Sequence, residues 1–372
     1  MSASNHVFVT GGTGLVGRAV VERLLGRGFD VTLLIRADAA ERRSDELATL
    51  ERVARSGSGS LATVIGDLGK PRLDLTEDGV RALSEAAHCF HIAALYDIEA
   101  RTDALEATNI AGTKHLLAAM QEARFAGRLH HVSSVAVAGD SGGTFTESRF
   151  DEGQAFPHAY HRSKHESERL VRQSGFDYRI YRPSSVVGDS TTGAIDKLDG
   201  VYFSFAAIQK LAHALPGWLR LPTPRLRGAF NVVPVDYVAS AMVHIALCET
   251  DARVFHLVDP KPPSLTKMTN IFLSAAGGPS LGPSFDLAKL PGVKKTVVLA
   301  SMLPSLRELG DSVLGDLGLP EGALSAMNVK ARFDDSNTQA ALAGSGVQCP
   351  PLRSYAKALY RYYEDHLDPA AQ

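Results

Sequence analysis

The amino-acid sequence predicts an α/β fold in which a doubly wound parallel sheet is joined to a smaller, mostly helical lobe. Two observations predict the sheet. Short apolar runs alternate with amphipathic helix patterns through the first half of the chain, and glycines fill the turn after the first run. A third observation predicts the lobe, because this alternation breaks down after Gly188.

The predicted strands are short runs rich in apolar and β-branched residues. In chain order they cover His6 to Thr10, Val31 to Ile35, Ala62 to Ile65, Cys89 to Ile92, Leu129 to Val132 and Tyr178 to Tyr181. The helix patterns between them are clearest at Leu15 to Leu25, Ala104 to Ala123 and Ala159 to Gln173. Strands that alternate with helices form right-handed βαβ units, and such units build a parallel sheet.

The second half of the chain is less regular. Phe230 to Val235 is β-like, Asp236 to Leu247 has a helix pattern, and Val254 to Val258 is an apolar run that can rejoin the sheet. The rest is rich in turn residues and ends in an aromatic helix at Tyr355 to Tyr363. We therefore expect a sheet domain at 1–189 plus 230–259 and a lobe at 190–229 plus 260–372. The lobe is expected over the open strand ends, where ligands bind in such folds.

Composition excludes several classes of protein. Of the 372 residues 45% are hydrophobic and 22% are charged, as in an ordinary globular protein, and a formal net charge of −2 gives no basic field for nucleic acid. Cys89, Cys248 and Cys349 lack metal-ligand spacing, so we expect reduced thiols, no metal site and a cytoplasmic location. No run of 18 apolar residues predicts a membrane span, and Met1 to Asn5 is too short and polar for a signal peptide.

The glycine turn after the first strand predicts a dinucleotide site. It reads Thr10-Gly11-Gly12-Thr13-Gly14-Leu15-Val16-Gly17 and lies between a strand and a helix. In this motif the first glycine permits the tight turn, the second lets the backbone approach the pyrophosphate, and the third allows close helix packing. The helix N-terminus then offers free N–H groups to the anion. A glycine turn without a ligand is the alternative, and the flanking strand and helix argue against it.

The residue after the second strand predicts which dinucleotide binds. An acidic side chain there would bind the ribose 2′-hydroxyl of NAD, but the sequence has Arg36. A guanidinium suits a 2′-phosphate through charge-assisted hydrogen bonds, and Arg42 and Arg43 are close enough in sequence to assist. A solvated arginine near Asp38 is the alternative. We therefore expect NADPH/NADP as the cofactor.

Tyr160 and Lys164 form a Tyr-x-x-x-Lys pair on a predicted helix, so both side chains project from one face. A free phenol has a pKa near ~10, and an ammonium group beside it lowers that value toward neutrality. Such a pair suits proton transfer coupled to hydride transfer. Alone the pattern is weak, because tyrosine and lysine are common on helix surfaces. Its position after the fifth strand strengthens the interpretation.

The fifth strand ends in Val132-Ser133-Ser134, at the edge of the sheet where ligands bind. Adjacent residues of a strand face opposite ways, so one of these serines can polarise a carbonyl oxygen at the site.

Together these motifs resemble the extended short-chain dehydrogenase/reductases. Further matching segments are Gly66-Asp67-Leu68, His91-Ile92-Ala93-Ala94, Asn109-Ile110-Ala111-Gly112-Thr113, Tyr181-Arg182-Pro183 and Val233-Pro234-Val235-Asp236, and the set spans residues 1 to about 260 in order. The resemblance implies that Ser134, Tyr160 and Lys164 form a catalytic triad and that Asn109 supports a proton relay. It also implies cofactor contacts at the glycine turn, Asp67, Leu68, Ala93, Ala94, Val132, Pro183, Ser185 and Val186.

The remainder is similar to the N-terminal half of bacterial fatty acyl-CoA and fatty aldehyde reductases. The stretch from Ile208 to Trp218, Phe255-His256-Leu257-Val258-Asp259 and Ala331-Arg332-Phe333-Asp334 carry this narrower resemblance. In two-module members a second reductase module follows, so we expect either such a module or a homodimer as a partner. The resemblance links the second module to thioester reduction, which favours the reduction of an aldehyde to an alcohol by this chain.

We therefore expect an NADPH-dependent reductase of fatty aldehydes, with fatty acyl-CoA as a further substrate. A hydroxysteroid or other ketone oxidoreductase remains open, as does a non-catalytic NADP-sensing protein. Apolar lobe residues would line an acyl channel or simply form core: Val201, Phe203, Phe205, Leu211, Leu215, Trp218 and Leu219. A basic edge at Arg220, Arg225 and Arg227 suits a CoA phosphate or a membrane surface, or is simply solvated. Lys294 and Lys295 begin either a short interfacial helix or an ordinary helix of the lobe.

Overall fold

The computed structural model describes residues 5–96, 100–196, 200–224, 230–285 and 331–368. Its central feature is a sheet of seven parallel strands, in the order Val254–Leu257, Tyr178–Pro183, Arg128–Val132, His88–His91, His6–Thr10, Asp30–Ile35 and Leu61–Ile65. The order reverses direction at His6–Thr10, as in a doubly wound sheet that binds a ligand where the order reverses. The predicted α/β class is confirmed.

The strands of the large sheet are β1 (His6–Thr10), β2 (Asp30–Ile35), β3 (Leu61–Ile65), β4 (His88–His91), β5 (Arg128–Val132), β7 (Tyr178–Pro183) and β11 (Val254–Leu257). Further strands form two-stranded sheets: β6 (Thr144–Phe145) with β13 (Arg332–Phe333), β8 (Ser185–Val187) with β10 (Val232–Pro234), and β9 (Arg220–Pro224) with β12 (Ser280–Phe285). The segment Val254 to Val258 thus rejoins the sheet as expected, as an edge strand beside β7.

The helices are α1 (Leu15–Gly26), α2 (Ala37–Arg42), α3 (Ser44–Ser56), α4 (Glu77–Glu85), α5 (Thr102–Leu105), α6 (Gly112–Glu122), α7 (Ala159–Arg172), α8 (Phe205–Ala214), α9 (Val235–Leu247), α10 (Leu265–Ala275), α11 (Ser336–Leu342) and α12 (Leu352–Tyr362). Within the described part of the chain no helix is both long and apolar enough to cross a membrane.

The helix predicted between residues 104 and 123 is interrupted. A π-helical turn at Glu106–Ala111 separates α5 from α6. A π-helical turn accommodates one extra residue and is frequent at functional sites. A hydrophobic pattern with a period near 3.6 residues does not reveal it, because the pattern on each side still reads as α-helix.

The core of the sheet explains the apolar runs in the sequence. Val7, Phe8 and Val9 of β1 are fully buried, and so are Cys89 and Phe90 of β4. Helices cover both faces of a doubly wound parallel sheet, so its central strands are continuous hydrophobic runs without alternation.

Contacts within the chain divide it into two compact units. The first contains Met1–Val186, Val235–Pro260 and Asn328–Cys349, and the second contains Val187–Pro234, Lys261–Met327 and Pro350–Gln372. The sequence predicts all of 260–372 in the lobe. The structure differs at the segment that carries β13 and α11, which groups with the sheet, and at residues 187–189 and 230–234, which were predicted in the sheet domain and group with the second unit.

The cause of that difference is a set of contacts made across a long stretch of sequence. Strand β13 pairs with β6 in parallel. The buried Glu147 carboxylate accepts hydrogen bonds from the Asn337 backbone N–H at 2.6 Å and from the Thr338 hydroxyl at 2.8 Å, at the N-terminus of α11. It also accepts one from the His256 backbone N–H at 2.8 Å. A carboxylate at this end of a helix satisfies its free N–H groups.

The second unit has an aromatic core. The buried Phe205 ring lies 4.8 Å from Phe272, 5.8 Å from Tyr360 and 5.4 Å from Tyr363, measured between ring centroids. Phe205 therefore packs as core. Trp218 is 81% exposed. Arg225, Arg227, Lys294 and Lys295 lie outside the described residues, and a role of this unit in binding substrate stays a prediction.

A buried ion pair joins α7 to the two strands beside it. Glu168 and Arg182 are both fully buried, and the Arg182 guanidinium donates to the Glu168 carboxylate through Nη2 at 2.6 Å and through Nε at 3.0 Å. Ser133, which follows β5, donates its hydroxyl to the same carboxylate at 2.6 Å. Arg172 donates a further bond at 2.9 Å. One carboxylate thus holds the positions of α7, β5 and β7.

The electrostatics of this cluster favour the ionised carboxylate. Burial by itself raises the pKa of Glu168, but the charge and hydrogen bonds of Arg182, with Arg172 and the Ser133 hydroxyl, lower it to about 2. A carboxyl group whose pKa is lower in the folded state stabilises the fold above its unfolded pKa, near ~4.3. That contribution is lost as the pH falls from there toward 2.

We predict that Glu168→Ala lowers the free energy of unfolding by about 3–5 kcal/mol at pH 7, because it leaves Arg182 buried without its partner. Urea unfolding followed by circular dichroism measures this. The matched control is Glu166→Ala on the same helix, whose partly exposed ion pair with Arg169 should contribute below about 1 kcal/mol. Equal losses in the two variants would contradict the prediction.

Candidate active site

The glycine turn has a geometry that requires glycine at two positions. Gly11 has a φ of +75°, and a Cβ placed there would lie 2.5 Å from the Ala93 backbone nitrogen. A Cβ on Gly17 would lie 2.0 Å from the Gly11 carbonyl oxygen. Both positions are therefore closed to larger residues, and Gly17 lets α1 pack directly on the turn.

The start of α1 is open. Gly14 is the residue before the helix and provides no side chain to cap it, and a Cβ there would have only the Gly11 carbonyl oxygen within 4 Å, at 3.6 Å. Gly14 is exposed, and Thr13, Leu15 and Val16 around it are half-buried. Uncapped N–H groups at an accessible helix N-terminus suit a phosphate. The turn thus fits the pyrophosphate of a nicotinamide dinucleotide.

The loops that follow β4 and β3 carry further predicted cofactor contacts, and the β4 loop lies against the glycine turn at Gly11. The Ala93 backbone nitrogen donates to the Thr10 carbonyl oxygen at 3.1 Å, and Ala94 is exposed beside it. After β3, Asp67 accepts a hydrogen bond from the Gly69 backbone N–H at 2.8 Å, while the Leu68 carbonyl oxygen contacts His115 Nδ1 at 2.8 Å. These residues lie where parallel strands end, at the edge that binds ligands.

The end of β2 carries a group of arginines. The Arg36 side chain is 56% exposed, with Nε 3.5 Å from the Asp38 carboxylate, which also pairs with Arg42. Arg43 hydrogen-bonds Glu46 at 2.7 Å and is the main cause that lowers the pKa of that carboxyl, with a smaller contribution from Arg18 of α1. Arg18 is a basic residue of this group that the sequence did not single out. The sequence feature that could have identified Arg18 is its position in the first turn of α1, directly after Gly17.

Lys164 lies in the interior and Tyr160 at the accessible start of α7. Lys164 is 3% exposed, and its Nζ donates to the Val132 carbonyl oxygen at 2.6 Å. Burial lowers the pKa of Lys164 to about 8, against the opposing charge of Glu168 one turn further along the helix. Tyr160 is half-buried. The helix therefore presents a phenol with an ammonium group one turn below it.

The two serines after β5 have different surroundings. Ser133 is buried and donates to Glu168, whereas Ser134 is half-buried and accepts a hydrogen bond from the Ala136 backbone N–H at 3.1 Å. Adjacent residues of a strand face opposite ways, so only one of the two serines can face the site. Because Ser133 is buried against Glu168, that residue is Ser134. Its hydroxyl keeps its own proton for donation, because the hydrogen bond to Ala136 uses the oxygen only as an acceptor.

Asn109 lies in the π-helical turn, and its amide clamps the loop after β4. Its Oδ1 accepts from the Leu95 backbone N–H at 2.8 Å, and its Nδ2 donates to the Leu95 carbonyl oxygen at 3.1 Å and to the Ser163 hydroxyl at 2.9 Å. Its own carbonyl oxygen accepts from the Thr113 hydroxyl at 2.7 Å. The side chain has a clear positioning role, and the expected proton relay stays a prediction.

The residues after β7 complete the predicted set. Pro183 is buried at the end of that strand opposite Leu257, and Ser185 and Val186 are half-buried at the start of β8.

Two residues near the predicted triad were missed in the sequence. Glu168 continues the face of Tyr160 and Lys164 at a spacing of four, which was a readable signal. Tyr96 lies with its ring centroid 4.9 Å from that of Tyr160, at an interplanar angle of 71°. Its signal was an aromatic residue just after the carboxyl end of a strand. Among the described residues no cluster of side chains suited to a metal ion is present.

Comparison with known proteins agrees with this arrangement. A family model described as "Male sterility protein", of NAD-binding type, matches residues 9–242. The non-canonical nonribosomal peptide synthetase FrzA of a Cladobotryum species is 31% identical over 280 residues, which are 68% of this chain and 26% of that protein. Aldehyde reductase lnaA of Aspergillus flavus is 30% identical over 279 residues, 68% of this chain and 26% of that protein. The chain thus spans a small part of these relatives.

Among solved structures, the terminal R domain from the myxalamid PKS-NRPS biosynthetic pathway has a TM-score of 0.75 and 25% identity, and the match covers 100% of this chain and 94% of that one. The family model matches more than half of the chain. The glycine turn, the strand order and the Tyr160/Lys164 pair described above agree with this family. The chain therefore belongs to the NAD-binding male sterility protein family and is an extended short-chain dehydrogenase/reductase.

Proposed function

We propose that the chain is an NADPH-dependent reductase that converts an aliphatic, fatty aldehyde to its alcohol, with fatty acyl-CoA as a second substrate to be tested. The observation that carries the proposal is the buried Lys164 ammonium group one helical turn from the accessible phenol of Tyr160. A charged amine held in the interior stabilises a phenolate at the head of the same helix. The name of the aldehyde reductase relative supports the choice of an aldehyde.

The side chains have separate roles in the proposed reaction. Ser134 and Tyr160 hydrogen-bond the carbonyl oxygen, and Tyr160 gives up its proton to that oxygen as negative charge develops. Lys164 stabilises the resulting phenolate. Asn109 holds the loop that faces Tyr160, and Glu168 holds Ser133 and thereby the strand end that carries Ser134. When bound, the nicotinamide supplies the hydride.

The cofactor would be held mainly by backbone groups. The N–H groups after Gly14 would bind the pyrophosphate. Asp67 and Leu68 would border the adenine, and Ala93 and Ala94 would line the cofactor. Arg36 would meet the 2′-phosphate, which is the basis for NADPH over NADH. Pro183, Ser185 and Val186 are proposed beside the nicotinamide.

We predict that Tyr160→Phe lowers kcat for decanal by roughly 10²–10⁴-fold, because the proton donor is removed while the ring stays. NADPH oxidation measured at 340 nm follows the reaction, and NADPH fluorescence shows that the cofactor still binds. Tyr178→Phe, on the half-buried start of β7, is the control and should leave kcat within about twofold. Full activity of Tyr160→Phe, or no turnover of any carbonyl compound by the wild type, would overturn the proposal.

The pKa of Lys164 gives a second prediction. Since burial lowers it to about 8, the ammonium group loses its proton as the pH rises through that value. We expect kcat/KM for aldehyde reduction to fall above pH 8, and the fall approaches about tenfold per pH unit well above that value. A profile from pH 6 to 10 at saturating NADPH measures this, and a rate that stays constant up to pH 10 would rule out the proposed role of Lys164.

A third prediction concerns the cofactor. Arg36→Ala should lower the ratio of kcat/KM for NADPH to that for NADH by about 10–100-fold, because a charge-assisted bond to the 2′-phosphate is lost. Steady-state kinetics with both cofactors give the ratio. The control is Arg55→Ala on α3, whose side chain is 77% exposed and pairs with Glu51. The same ratio in the wild type and in Arg36→Ala would argue against 2′-phosphate recognition at this residue.

A further inference from the structure

Tyr96 is an exposed aromatic residue that contacts the proposed proton donor. Its side chain is 38% exposed, whereas large hydrophobic side chains are mostly buried in the core of this protein. The rings of Tyr96 and Tyr160 form an edge-to-face pair with centroids 4.9 Å apart. That distance is within the preferred range for aromatic pairs, so each ring restricts the orientation of the other.

The backbone beside Tyr96 is fixed to the same helix as Tyr160. Asn109 binds both the N–H and the carbonyl oxygen of Leu95, and its Nδ2 also donates to the Ser163 hydroxyl. Ser163 in turn donates to the Tyr160 carbonyl oxygen at 2.9 Å. Asn109 is 3% exposed, so water does not compete with these bonds. The Tyr96 ring is therefore exposed but held on a rigid support, which is the condition for a surface that selects by shape.

The position of this ring limits what can bind at the phenol. A carbonyl compound that hydrogen-bonds Tyr160 brings its carbonyl carbon, and the two groups attached to that carbon, close to the phenol. The Tyr96 ring occupies one flank of the phenol. An aldehyde can direct its hydrogen atom to that flank, whereas a ketone must place a second carbon group there.

On this basis we propose that Tyr96 is a specificity-determining residue that selects aldehydes over ketones by filling the space required by the second carbon substituent. The inference rests on the proposed carbonyl reductase function and narrows its substrate class. One excluded methyl group at an apolar wall changes kcat/KM by roughly 10–200-fold. Removal of the Tyr96 ring should therefore raise kcat/KM for the ketone by a factor of that size.

The test compares two isomers, decanal and 2-decanone, which differ only in the position of the carbonyl group. Wild type, Tyr96→Ala and Tyr96→Phe are assayed with NADPH, and kcat/KM is measured for each isomer. The quantity compared between variants is kcat/KM for decanal divided by kcat/KM for 2-decanone. The difference in intrinsic reactivity between the two isomers cancels in this comparison. We expect Tyr96→Ala to lower the decanal to 2-decanone ratio by at least about tenfold, mainly by a gain with the ketone, and Tyr96→Phe to keep the wild-type ratio.

Leu247→Ala on α9 is the control for the loss of an exposed apolar side chain, and it should leave the ratio unchanged. NADPH fluorescence and thermal unfolding show that each variant is folded and binds cofactor. An unchanged ratio in Tyr96→Ala, or an equal loss with both isomers, overturns the selection while the reductase function stands. A wild type that reduces neither isomer nor any other carbonyl compound overturns the proposed function and the selection with it.

Discussion

The buried carboxylate of Glu168 is the constraint on which the arrangement of the site depends. It joins the helix that carries Tyr160 and Lys164 to the end of β5, through Ser133, and to β7, through Arg182. Ser134 and the Val132 carbonyl oxygen that receives Lys164 lie on either side of Ser133. The helix that carries Tyr160 and Lys164 and the strand end that carries Ser134 are therefore held in place by a buried ion pair, and this link is strong because both of its partners are excluded from water.

The fold was predictable because its signals are local. The strand at His6 to Thr10 and the glycine turn that follows it can be recognised from adjacent residues alone, and the strand bounds and the positive φ of Gly11 agree with the structure. Arg36 and the Tyr160/Lys164 pair were found in the same way. What the sequence did not reveal depends on partners far along the chain. The Tyr96 ring packs against a ring 64 residues later, Asn109 in the π-helical turn binds the Leu95 backbone, and β13 pairs with β6.

The site joins two kinds of preorganisation. At the cofactor end, the glycine turn and the start of α1 offer backbone groups whose positions are fixed by the fold, so few side chains are needed. At the chemical end, side chains are held by other side chains: Glu168 holds Ser133, and Asn109 holds the loop that bears Tyr96. Changes to supporting residues of the second kind should alter rates and selectivity more readily than changes at the glycine turn, where substitution meets backbone atoms and disrupts the fold.

The contacts of Glu147 determine when the first unit can be complete during synthesis. This carboxylate binds Thr338, which lies 191 residues later, and β6 can pair with β13 only after residues 332 and 333 have been made. The ribosome releases the strands of the sheet well before these partners exist, so β6 and the edge strand β11 remain uncovered while the second unit is being made. Until residues 332–338 have been made, the nascent chain lacks these partners of β6 and Glu147, and unpaired strand edges at such a stage favour aggregation.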